Sequence, residues 1–249
     1  MSALTQRRDP IRLLLSRGLW AGLWYLLAYQ VVGWVLFSIA LTAVATGAMF
    51  SVTVVGVPLL ITAAAIVRWC ADVERARLRP LGGEVVGGYR EPADSDGMVA
   101  RLRVRWQDPA LWRDLAYLLG LFIPLVLLGL VVLTVWGVLL AGITMPIWYW
   151  APFQSVNGVR YHGAQLGYFP NGPHGPGGYG LYIGSLPAAL LTALVCLILF
   201  LLFDYVVVAT ARMHATAARS LLRAAEDPLR EAREVLSRPG PLATHLQAR

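Results

Sequence analysis

The chain has 249 residues, 57% of them hydrophobic, and all 21 of its basic side chains are Arg, for a formal net charge of +7. So apolar a composition argues against a soluble chain, and with no recognition motif beside the charge it gives no case for nucleic-acid binding. There is also no G-x-S-x-G, no H-E-x-x-H and no Walker loop, so neither catalysis nor a cofactor is indicated.

Charge is absent from residues 18–67 and 115–159, and residues 161–203 contain no Arg, Asp or Glu. A helix needs about 20 apolar residues to cross about 30 Å of hydrocarbon. Dividing these windows at their internal breaks predicts an all-α integral membrane protein with four spans, arranged as two tandem hairpins in parallel orientation.

In chain order, residues 1–18 form an N-terminal segment with four Arg, and Asp9-Pro10 reads as a helix start. A first span is expected at 19–41. It is too long for the h-region of a cleaved signal peptide, which runs about 7 to 15 residues. Gly18 and Gly22, and then Ala43, Gly47 and Ser51, stand four apart, the spacing that lets helices approach closely. After a turn near residue 45, the second span is expected at 49–67.

The loop 68–114 carries nine Arg. Within it Val99, Leu102 and Trp106 can form an apolar stripe beside Arg101 and Arg105, and Asp108-Pro109 is a second helix start. The third span is expected at 115–142, kinked at Pro124, with Gly120 leaving room for the proline ring. An outer loop at 146–180 follows, rich in Gly, Pro and aromatic residues. Trp148, Tyr149, Trp150, His162 and His174 are its candidate ligand contacts, with an interfacial aromatic belt as the simpler reading of Trp148 to Trp150. The two His lack companions at metal-ligand spacing, so no metal site is expected. The fourth span is placed at 181–203. Residues 224–249 form a tail in which Asp227-Pro228 can open a short helix.

Twenty of the 21 Arg fall in the N-terminal segment, the 68–114 loop and the region after residue 203; Arg160 is the exception. Cytoplasmic segments retain positive charge, so both termini and the central loop are expected to be cytoplasmic, in the inner membrane. No Asp, Glu, Lys or Arg lies within the four span cores, Asp204 being the nearest, which speaks against proton-coupled transport and voltage sensing.

The chain repeats itself. Trp20, Leu23, Tyr25, Leu26 and Leu27 recur as Trp112, Leu115, Tyr117, Leu118 and Leu119 at an offset of 92, and Arg68, Ala71, Arg75, Leu78 and Arg79 recur as Arg212, Ala215, Arg219, Leu222 and Arg223 at 144. The second set predicts helical cytoplasmic extensions, whose six Arg reach lipid phosphates or transmit displacement to a partner.

Tyr89-Arg90 with Pro92, then Asp108-Pro109 with Trp112-Arg113-Asp114-Leu115 and Tyr117-Leu118-Leu119, then Pro146 with Trp148-Tyr149-Trp150, resembles the "putative sensor domain" that opens many actinobacterial membrane histidine kinases. The likeness runs from about Ser16 to Leu222. It implies a membrane sensor in a two-component system, ordinarily followed by a phosphoacceptor helix and an ATP-binding domain. Here only 35 residues follow His214, and Ala215-Thr216 stand where the acidic neighbour of a phosphoacceptor is usual. The expectation is therefore a stand-alone, non-enzymatic sensor module spanning 19–223, with the bilayer, a kinase or other regulator in trans, or a second copy as partners. An accessory subunit of a membrane transporter is the alternative.

Overall fold

The computed structural model describes residues 10–53, 55–81, 85, 87–90, 97–156 and 158–224; the tail helix expected from Asp227 lies outside them. Among the described residues four helices are long and apolar enough to cross a membrane, Arg17–Met49, Gly56–Leu81, Phe122–Ile143 and Leu186–Leu222.

A short α1 (Pro10–Leu14) leads into α2 (Arg17–Met49), whose Ser16 hydroxyl caps the helix by accepting from the Leu19 N–H at 3.3 Å. The turn expected near residue 45 falls after Met49 instead. Ala43 and Gly47 continue the helix, and Gly47 packs so closely on Leu60 that a Cβ would stand 3.0 Å from its side chain. Gly56 then opens α3 (Gly56–Leu78) where any side chain would collide with the Phe50 carbonyl, and Pro80 ends the run in a single 3₁₀ turn at Arg79–Leu81.

α4 (Met98–Trp106) and α5 (Pro109–Leu115) follow, the latter capped by Asp108, whose Oδ1 accepts from the Ala110 N–H at 3.0 Å. The third span is not continuous. Pro124 has no N–H to offer the Gly120 carbonyl, and the turn before it opens into a π-helix at Ala116–Gly120, with the Leu121 N–H donating to the Ala116 carbonyl, before α6 (Phe122–Ile143) resumes.

The outer loop corrects the all-α expectation. After α7 (Met145–Trp148) come two antiparallel hairpins, β1 (Phe153–Val156) with β2 (Val159–His162), and β3 (Ala164–Tyr168) with β4 (Tyr179–Ile183). Asn157-Gly158 between β1 and β2 is the residue pair that a two-residue hairpin turn prefers, and Gly158 has φ +79°. Finally α8 (Leu186–Leu222) runs unbroken for 37 residues, about 55 Å at 1.5 Å per residue, far beyond the end expected at residue 203.

α2 runs antiparallel to α3, and α6 to α8: Gly142 sits against Cys196, Trp136 donates to Asp204 Oδ1 at 3.2 Å, and Gly129 faces His214. Between the pairs, Phe122 stacks on Phe37 and meets Trp34 edge-on, while Gln30 Nε2 donates to the Val126 carbonyl at 3.3 Å. At the offset of 92 these contacts are reciprocal, because Gln30 and Phe122, and Trp34 and Val126, are equivalent positions of the two repeats.

The repeat itself is visible in atomic detail. Trp20 Nε1 donates to the Leu14 carbonyl and Trp112 Nε1 to the Trp106 carbonyl, six residues back in each case; Ser16 and Asp108 are equivalent caps, and Leu19 and Leu111 are both fully buried. In the second set Ala71 and Ala215, and Leu78 and Leu222, are buried pairs. The offsets differ by 144 − 92 = 52 residues, an excess in the second repeat that holds the two β-hairpins. Packing is exchanged: α1 rests on α8 of the second repeat, and α4 rests on α3 of the first.

Candidate functional site: an arginine junction between the repeats

α3 buries Val67, Cys70, Ala71, Glu74, Arg75 and Leu78, a spacing of three and four that forms one face of a helix. Arg75 therefore points inward although it is charged. Its guanidinium joins four segments: Nε donates to the Leu222 carbonyl at the end of α8 (2.9 Å), Nη1 to Asp72 Oδ1 and to the Tyr89 hydroxyl (2.6 Å each), and Nη2 to Asp114 Oδ1 on α5 (2.9 Å). Tyr89 in turn donates to Asp114 Oδ2 at 2.6 Å. A buried cation is tolerable only when paired and hydrogen-bonded, and here every guanidinium nitrogen has a partner.

A second arginine extends the junction. Arg68 pairs with Asp108 Oδ2 at 3.3 Å and lies over the Tyr89 ring at 4.4 Å, while the Arg90 N–H donates to that same Asp108 oxygen at 2.9 Å. Residues that were conspicuous only as a motif, Tyr89-Arg90, Asp108 and Asp114, thus meet at one place. Burial, the dominant cause, raises the Asp114 carboxyl to about 6 against the opposing pull of Tyr89 and Arg75; burial, then Asp114, raises the Tyr89 phenol.

Arg219, the repeat counterpart of Arg75, reciprocates by donating from Nη2 to the Leu81 carbonyl at 3.1 Å. Each repeat therefore supplies an arginine that closes the C-terminal helix end of the other. For Arg75 a direct lipid-phosphate contact is overturned, because its side chain is only 6% exposed and its donors are used internally. Arg79, Arg212 and Arg223 are exposed, and Arg219 is half-buried.

The outer candidates are not gathered into one site. Trp148 and Tyr149 pack against the small cluster Met145, Ala164, Ile183 and Ala189 that seats the β3–β4 hairpin on α8. Trp150 is exposed and donates to the Ile147 carbonyl; His162 lies against the Trp150 carbonyl and the Phe153 ring, and His174 meets Tyr182 edge-on. The cavity of about 380 Å³ between the hairpins is lined instead by residues such as Phe153, Gln154, Gln165, Tyr168 and Phe169.

The family described as Putative sensor matches residues 25–222, most of the chain and all of the junction, and the protein belongs to that family. It is a multi-pass membrane protein of the sensor class. No curated protein and no solved structure matches it.

Proposed function

We propose that the chain is a membrane sensor module without catalysis of its own, which registers an envelope or lipid-phase condition and passes it to a cytoplasmic or membrane partner. A histidine kinase acting in trans is the partner that the resemblance to actinobacterial two-component sensors implies. The termini and the 82–114 segment lie on the cytoplasmic side of the inner membrane in this reading, and the β-hairpins outside; the distribution of Arg supports it. The observation that carries the proposal is the four-way bonding of Arg75, because any displacement of α8 must be felt by α3, α5 and the segment at Tyr89 together.

Arg68, Arg75 and Arg219 transmit within the bundle, and Arg79, Arg212 and Arg223 engage lipid phosphates beside it. Purification of the tagged protein from native membranes in gentle detergent, with mass spectrometry of what stays bound, tests this. A kinase or other cytoplasmic regulator is the expected companion, or a second copy of the chain with it. Permease and ATPase subunits without a regulator would overturn the proposal in favour of a transporter accessory.

A further inference from the structure

Beside the Arg75 junction the bundle buries a second polar cluster that the junction does not use. Glu74 on α3 is 1% exposed, His214 on α8 0%, Tyr117 on the π turn 1%, and Tyr25 and Tyr29 on α2 5% and 2%. Arg77 donates to Glu74 Oε1 and to the Tyr25 carbonyl, and its guanidinium lies 5.2 and 5.6 Å from the Tyr25 and Tyr29 ring centres. The His214 ring stands edge-on to both tyrosines, at 6.5 and 5.4 Å. Tyr25 and Tyr117, equivalent residues of the two repeats, face each other across the cluster beside Glu74.

Among the described residues both ring nitrogens of the fully buried His214 have no hydrogen-bond partner, while the Tyr117 hydroxyl lies within reach of Tyr25, Tyr29 and Glu74. A buried polar side chain without a partner is costly, and a functional role is one reason a fold retains it. The π turn that brings in Tyr117 is itself a distortion found often at functional sites. Nearby side chains leave no balancing charge to spare: α6 carries none, Asp114 of α5 is held by Arg75 and Tyr89, and Arg113 of α5, Arg12 of α1 and Arg219 of α8 are themselves cationic.

We propose that this cluster is a proton-binding site inside the membrane bundle, with Glu74 and His214 as the groups that take the proton. With Glu74 ionised, Arg77 charged and His214 neutral, the cluster has no net charge. One added proton leaves one net positive charge in a dry interior, whichever of the two accepts it. That charge is relieved when water enters, and the contact water must open is the one His214 makes with Tyr25 and Tyr29, between α2 and α8. The site thereby names a signal for the proposed function and rests on that reading only for its physiological meaning.

The test uses the full chain in lipid nanodiscs, shifted from about pH 7.5 to about pH 3.5, because burial lowers the pH at which an imidazole takes a proton. Infrared difference spectra read proton uptake. Spin labels at exposed Leu27→Cys and Met213→Cys, with Cys70→Ala and Cys196→Ala, read the distance between α2 and α8. The expected result is a protonated-carboxyl or imidazolium signal together with a distance change of about 2 Å, the scale of helix shifts in switching proteins. Both should be lost in the Glu74→Gln, His214→Gln double variant and kept in Asp204→Asn, which removes a buried carboxyl outside the cluster. Uptake that is unchanged in the double variant overturns the proposal. Should the double variant not fold, the single Glu74→Gln, which conserves shape, must alter the uptake spectrum, and an unaltered spectrum overturns it equally. Uptake without movement supports the proton site and counts against the sensor reading, so the two fail separately.

Discussion

The arginine junction and the β-hairpins use opposite means to hold a segment in place. At the junction, Arg75, Asp114 and Tyr89 bind three segments through charge-assisted hydrogen bonds in a buried setting, where losing one partner strands another. The hairpins are held by their own backbone ladders, and the β3–β4 pair by a small apolar contact of Ile183 and Ala164 with Ala189. Coupling between distant parts of the chain is therefore concentrated at one end of the bundle, and substitutions at the two ends should differ in reach as well as in size.

The largest contrast is expected from Arg75→Met. Asp114 would be left as an uncompensated buried carboxylate, at a cost of about 3 to 5 kcal/mol, whereas Trp150→Ala at an exposed site should change stability by less than about 0.5 kcal/mol. Thermal unfolding of both variants in one detergent measures the difference, and equal losses would erase the distinction. Tyr89→Phe should come next, removing a donor to Asp114 and an acceptor from Arg75 for about 1 to 3 kcal/mol.

In the first hairpin, Gly158→Ala places a side chain at φ +79°, which costs about 1 to 2 kcal/mol. Hydrogen exchange should speed up in β1 and β2 and remain unchanged in α3; acceleration at the arginine junction would show that the two regions are coupled more tightly than their contacts indicate. The smallest effect concerns pH. The Asp114 carboxyl rises from 3.8 to about 6 on folding, so the folded protein holds more protons than the unfolded chain in that interval. Its contribution to stability is full below the lower value and is lost as pH climbs through the upper one. Plotted against pH, the melting temperature of the native chain should fall through this window relative to Asp114→Asn, and parallel curves would refute the assignment.

Much of the helical frame was legible because charge and its absence alternate so sharply along the chain. The repeat was legible for the same reason, since Trp20 and Trp112, and Arg75 and Arg219, recur with their neighbours. The interior was not. Treating residues beyond the apolar windows as cytoplasmic extensions placed Glu74, Arg75 and His214 outside the packed bundle, yet Val67, Cys70, Ala71, Glu74, Arg75 and Leu78 share one buried face, as do Val207, Ala211, His214, Ala215, Ala218 and Leu222. The signal was the continuing three-and-four period, which a charge-based division cuts through. The hairpins were missed because a Gly-rich segment has little hydrophobic alternation. Asn157-Gly158 between Val156 and Val159 was its one strong local mark, and Gly167 opposite Gly180 admits the strand pair only because neither has a side chain.

The reciprocal closure by Arg75 and Arg219 makes each half of the molecule a chaperone for the other. Neither repeat can complete its own last helical turn, so a polypeptide severed between Gly88 and Met98 should yield two pieces that are unstable apart and reassemble when made in the same cell, giving a split protein whose reunion depends on both arginines.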